Sequence, residues 1–306
     1  MRHIFLAAAL IACACGAAEA QSPAAVRIDA TRDAIGRITT PVYLNGQGPF
    51  NFVVDTGANR SAISHHVATR LGLEIDGVGQ VHAFTGIFQA PMARLSSIRS
   101  GALVINDLVS PVIDGPMLAN ADGLLGVDTL SERRLIFDLR RSTVSIDDGL
   151  SSLTGRGWVN VPGQRRFGNL IVARGRIGRI STHVIIDTGA QTSIVNGPLR
   201  NALAAGRGDA RPVTGTRITS VADPIVLNEA VFIPRLDFGA AALGNVTAYS
   251  GDLYIFELWG LTREPAIVIG MDVVRHMYGL ALNYRRARVE MQVARTGQRP
   301  RAELVH

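Results

Sequence analysis

The chain contains no lysine, so all 31 of its basic residues are arginine. It has two cysteines, Cys13 and Cys15, both inside the first 20 residues. If that segment is removed, the rest of the chain can form neither a disulfide nor a thiolate metal site. At 306 residues the chain is long enough to bury a core without cross-links. Aromatic residues make up only 6%. The arginines are scattered, in pairs at most (Arg133-Arg134, Arg140-Arg141, Arg165-Arg166, Arg285-Arg286), although the net charge is +6. Without a basic stripe interleaved with aromatics, nucleic acid is not an expected partner. The seven histidines show no ligand spacing, and His65-His66 opens a solvent-facing helix, so no metal and no cofactor is expected. There is also no Gly-x-Ser-x-Gly elbow, no P-loop and no dinucleotide fingerprint.

What remains is a hydrophobic content of 47%, a charged content of 18% and 32 glycines, the profile of a folded protein rich in turns and short strands. Residues 1–20 read as an export signal: Arg2, then an apolar run from Ile4 to Ala12, then Ala18-Glu19-Ala20 as a cleavage site. This predicts a periplasmic or secreted protein cut near Ala20. The alternative is a lipoprotein anchored through Cys13, since Leu10-Ile11-Ala12-Cys13 is similar to a lipid-attachment box.

The sequence repeats itself. Phe52-Val53-Val54-Asp55-Thr56-Gly57-Ala58 has a counterpart in Val184-Ile185-Ile186-Asp187-Thr188-Gly189-Ala190. A strand and a turn precede each copy: Pro41 to Leu44 with a turn at 45–48, and Leu170 to Ala173 with a turn at 174–178. A short helix follows each, His65 to Leu71 between Ser64 and Gly72, and Pro198 to Ala205 between Asn196 and Gly206. Two apolar residues and a glycine come next, Leu124-Leu125-Gly126 and Val268-Ile269-Gly270, and Asp128 and Asp272 occupy matching places after them. Ser61 and Ser193 recur six residues after the aspartates, and each half closes on a similar strand. These repeats predict units at 24–148 and 156–294, a linker at 147–155 and a loose tail at 295–306.

A buried strand that ends in aspartate carries the carboxylate to the edge of the core. Threonine supplies a hydroxyl, and glycine permits close backbone approach. Two such turns face to face hold two carboxyls that cannot both ionise freely and so share a proton. One then acts as base toward water while the other polarises a carbonyl.

These motifs resemble the retropepsin-like aspartic proteases, here with both units fused in one chain as in pepsin and in exported bacterial periplasmic members. The resemblance implies a mostly β fold of two pseudo-symmetric pepsin/retropepsin-like β-barrel lobes with few short helices. It implies Asp55 and Asp187 as the catalytic pair, supported by Thr56, Gly57, Thr188 and Gly189 and by Leu125, Gly126, Ile269 and Gly270. It also implies a flap, placed at Phe84, Thr85 and Gly86 with Phe88 nearby. A vaguer counterpart is placed near Ile218 to Ala222. The expected partner is a peptide or protein substrate, such as the periplasmic part of a membrane protein, and the expected state is a monomer. The rival readings are a catalytically silent peptide-binding module and an obligate dimer. Alanine after each triplet, in place of a hydroxyl donor, predicts an activity optimum less acidic than in pepsin-like enzymes.

Overall fold

The structure, a computed structural model, describes residues 26–101, 103–114, 118–130, 132–155, 157–206, 216–218, 225–239 and 241–293. The export signal, Cys13 and the whole of the predicted tail lie outside these residues, as does 219–222 of the second flap region. No described helix is long and apolar enough to cross a membrane.

The fold is mostly β, with a few short helices and two pseudo-symmetric halves. In the first half, strands Ile38–Leu44, Gln47–Val54, Gly123–Leu125, Ala62–Ser64 and Leu103–Ile113 lie side by side in that order. In the second, Leu170–Ile177, Ile180–Ile186, Ala266–Ile269, Ile194–Val195 and Ala242–Ser250 repeat the order. The parallel and antiparallel senses match as well. The strand ending at Val54 runs parallel to Gly123–Leu125, and the strand ending at Ile186 runs parallel to Ala266–Ile269. Apolar runs at these positions are explained by burial on both faces, and Phe52, Val53, Val54, Val184 and Ile185 are all at most 1% exposed.

Local chemistry sets the boundaries. Asn45 and Gly46 both take positive φ and close a tight hairpin, so the following strand begins at Gln47 rather than after residue 48. The second hairpin turn is shorter and later than the sequence suggests. Residues 174–177 belong to the strand Leu170–Ile177, and only Gly178 and Arg179 turn, because Ile177 pairs with Ile180 and Gly178 supplies φ +58°. Ser64 caps helix His65–Leu71 by accepting from the Val67 N–H at 3.2 Å, and Gly72 ends it in the left-handed conformation. Asn196 caps helix Gly197–Ala205 through the Leu199 N–H at 3.1 Å. The short helices Tyr254–Leu258 and Met271–Val274 have no counterpart in the sequence reading.

The two halves are joined by strands from both. Arg134–Asp138 pairs on one side with Thr143–Asp147 and on the other with Gly279–Asn283, bringing Leu135 opposite Leu282 and Phe137 opposite Leu280. Val26–Asp29 and Arg288–Gln292 extend this sheet. Buried Arg134 ties it together, bonding Asp147 at 2.5 Å and the fully buried Glu290 at 3.1 Å. A pair this desolvated contributes mainly by holding its partners in place, since removing one member strands the other. One large apolar cluster runs through both halves, and a smaller one gathers Val53, Ala62 and Leu124.

Candidate active site

Each aspartate sits where its strand leaves the parallel pair. The Asp55 N–H donates to Leu125 O at 3.0 Å, and the Asp187 N–H to Ile269 O at 2.9 Å. Leu125 and Ile269 thus anchor the turns through their backbones. Gly126 and Gly270 are required by space. A Cβ on Gly126 would lie 2.6 Å from the Arg60 carbonyl carbon, and one on Gly270 would lie 2.8 Å from that of Thr192. Through these gaps the Val127 N–H reaches Ala58 O and the Met271 N–H reaches Ala190 O.

Each turn folds back on its own carboxylate. Asp55 Oδ1 accepts from the Gly57 and Ala58 N–H groups at 2.9 Å each. Asp187 Oδ1 accepts from Gly189 at 2.8 Å and Ala190 at 3.1 Å. The threonines then cross between the halves. Thr56 Oγ1 donates to Ile186 O at 2.7 Å and accepts from the Thr188 N–H at 3.0 Å. Thr188 Oγ1 donates to Val54 O at 2.6 Å and accepts from the Thr56 N–H at 3.2 Å. Both threonines are buried, so the four bonds form in a weakly screened environment.

This brace brings Asp55 and Asp187 within hydrogen-bonding reach of each other. The approach leaves no room for side chains on the glycines. A Cβ on Gly57 would fall 2.3 Å from Asp187 Oδ2, and one on Gly189 would fall 2.2 Å from Asp55 Oδ2. Asp187 is 2% exposed, whereas Asp55 is partly open to the cleft. Burial pushes the Asp187 carboxyl well above the usual range, and the neighbouring Asp55 charge pushes it further. Burial raises Asp55 too, opposed by the Arg37 guanidinium and the turn N–H groups.

Ser61 and Ser193 are partners of Asp128 and Asp272. Ser61 Oγ donates to Asp128 Oδ1 at 2.8 Å and accepts from the Gly126 N–H at 2.9 Å, while Ser193 bonds Asp272 and Gly270 at 2.8 and 3.0 Å. The sequence showed all four residues recurring but not that they bond. Burial raises both outer carboxyls.

The dyad lies on the floor of a mainly apolar cleft of about 290 Å³, walled by residues that include Ile113, Ile255 and Trp259. The hairpin joining Ile75–His82 to Ile87–Ser100 lines it through residues 80–84. At the turn the Ala83 N–H donates to Gly86 O at 2.8 Å. Phe84 faces the cleft, while Thr85 faces a second, more polar recess beside Asn196 and Asp252. Gly86 has neither a positive φ nor a crowded Cβ position, so space does not demand glycine there. Phe88 turns away and packs on the Val53 cluster. The hairpin leans on helix Tyr254–Leu258: His82 Nδ1 and Tyr254 Oη are 2.7 Å apart, and the Ile255 N–H donates to Phe84 O at 3.3 Å. In the second half, Thr216–Ile218 pairs with Ile225–Leu227.

Sequence reasoning missed Arg37, Trp259 and Tyr284. Tyr284 is fully buried, and its phenol is raised by burial and by the charges of both aspartates, so it stays neutral. Among the described residues no group of three or more His, Cys, Asp or Glu is placed to hold a metal.

The arrangement is two neighbouring carboxyls, fixed by backbone donors, facing an apolar cleft. A family model described as gag-polyprotein putative aspartyl protease matches residues 40–132. Residues 40–132 resemble a retropepsin-like aspartyl protease. The matched stretch holds Asp55-Thr56-Gly57 and Leu124-Leu125-Gly126 and supports a protease-like fold. It ends before the second triplet. No curated protein matches the chain.

Proposed function

We propose that the chain is an aspartic endopeptidase that hydrolyses peptide bonds through Asp55 and Asp187 acting on one water. The reading rests on one observation: two carboxyls, each clamped by its own turn and braced to the other by Thr56 and Thr188, lie within reach of each other at the floor of an apolar cleft. The ionised carboxylate takes a proton from water as its oxygen adds to the scissile carbonyl carbon. The protonated carboxyl gives its proton to the carbonyl oxygen. The tetrahedral diol then collapses, a proton passes to the departing nitrogen, and the dyad returns to its shared-proton state. The cleft favours an extended peptide, held largely through its backbone under the hairpin of residues 82–86.

The active unit in this reading is a monomer in which units 24–148 and 156–294 each supply one aspartate. Its substrates are envelope proteins, among them periplasmic parts of membrane proteins, met after export. Ala58 and Ala190 offer the dyad their N–H groups but no hydroxyl, and both carboxyls are raised, so the activity optimum lies at less acidic pH than in pepsin-like enzymes. The purified chain is to be incubated with a diverse peptide library, with and without a pepstatin-type inhibitor. Inhibitor-sensitive cleavage is expected. Tight inhibitor binding with no turnover would instead assign a silent peptide-binding module.

A further inference from the structure

The two halves differ at one place that matters for the dyad. In the first half Thr39 pairs with Val53. Arg37 stands two residues before Thr39, and Asp55 two residues after Val53, so both lie at the same end of the antiparallel pair. In the second half Val172 pairs with Ile185, and the same count sets Leu170 at the end where Asp187 lies. One half thus places a guanidinium where its twin places a fully buried leucine.

Arg37 is itself 2% exposed. Its Nε lies 2.7 Å from Asp33 Oδ2, and its Nη2 donates to Leu118 O at 3.0 Å. Leu118 packs in the small cluster with Val53 and Leu124, the residues flanking the Asp55 turn. A charge held this far from water is weakly screened, and its effect reaches the adjacent carboxyl. Arg37 opposes the effect of burial on Asp55, whereas the groups favouring charge on Asp187 are the N–H dipoles of Gly189 and Ala190.

Other charges around the dyad are balanced or distant in effect. Asp33 tempers Arg37. Asp128 is held by Ser61 and faces Arg60, which with His82 lines the cleft. Tyr284 feels both aspartates and carries no charge.

We infer that Arg37 is a positioning residue that fixes the negative charge of the dyad on Asp55 and leaves the shared proton on Asp187. Asp55 then accepts the proton from water, and Asp187 gives its proton to the carbonyl oxygen. The kinetic consequence rests on the proteolytic reading, but the order of ionisation does not.

The test titrates each carboxyl alone by its 13C chemical shift, Asp55 in Asp187→Asn and Asp187 in Asp55→Asn. Asp55 is expected to ionise at least tenfold more readily than Asp187. Adding Arg37→Met with Asp33→Asn, which leaves no carboxylate stranded, should close that gap, while Arg37→Lys should keep it. If that pair does not fold, Arg37→Gln with Asp33→Asn, which keeps two hydrogen-bonding side chains without charge, carries the same comparison. In the active chain the acid limb of kcat/KM should move upward by about one pH unit without the charge. Equal titration of the two aspartates, or a gap that survives loss of the charge, overturns the inference. A chain that cleaves nothing refutes the proteolytic reading and leaves the titration to decide this one.

Discussion

Replacing Thr56 by valine keeps the β-branched shape and removes one hydroxyl. That hydroxyl donates to Ile186 O at 2.7 Å and accepts from the Thr188 N–H at 3.0 Å, at a site 2% exposed. Valine leaves a buried carbonyl and a buried N–H without partners. Each costs about 1–3 kcal/mol, so the loss should be about 2–6 kcal/mol, a large part of a typical domain's stability. For a chain of this size that is a fall in Tm of about 5–15 °C. Scanning calorimetry or denaturant unfolding of the wild type, Thr56→Val and Thr56→Ser reads it directly. Serine keeps the hydroxyl and should stay within about 1 kcal/mol of the wild type. A Tm for Thr56→Val within about 2 °C of the wild type would refute the claim that the crossed threonines hold the turns together.

Gly57→Ala places a Cβ 2.3 Å from Asp187 Oδ2, so the turn must shift, and kcat should fall by about 100-fold or more in a chain that still unfolds cooperatively. Wild-type turnover would show that the close approach is dispensable. Ser61→Ala removes the bonds to Asp128 and to the Gly126 N–H, and should cost about 2–3 kcal/mol in urea unfolding. Less than about 0.5 kcal/mol would mean that water replaces the hydroxyl. Asp187→Asn should stabilise the fold at pH 7 and do little near pH 4. The raised carboxyl keeps its proton in the native state while the unfolded chain releases it near 3.8, so Asp187 erodes stability as pH rises from there toward its folded value. An equal shift of the guanidinium midpoint at both pH values would contradict this.

The parts of the fold that were legible in the sequence are those set by local rules. Ser64 and Gly72 delimit a helix through cap chemistry a few residues long, and the paired triplets mark strand ends. The second hairpin turn is ambiguous in the sequence because Gly175 and Gly178 both suit a turn. Gly175 is instead held in the strand, where an added Cβ would meet Leu236 and Val184. The bonds of Ser61 to Asp128 and Ser193 to Asp272 span long stretches of chain, and a recurring residue does not announce its partner. Arg37 and Tyr284 were invisible for the same reason. An arginine at the start of a strand reads as a solvated charge until the fold buries it. The closing strands are similar in sequence, but their pairing with each other, Leu135 opposite Leu282, is a property of the assembled halves.

The central claim is that both carboxyls act together on one water. Asp55→Asn and Asp187→Asn each keep the size and most hydrogen bonds of the dyad while removing its ability to exchange a proton. Cleavage of a fluorogenic peptide by the purified wild type and by each variant should fall by more than about 1000-fold in both replacements. Undiminished cleavage by either variant would place the chemistry elsewhere in the molecule.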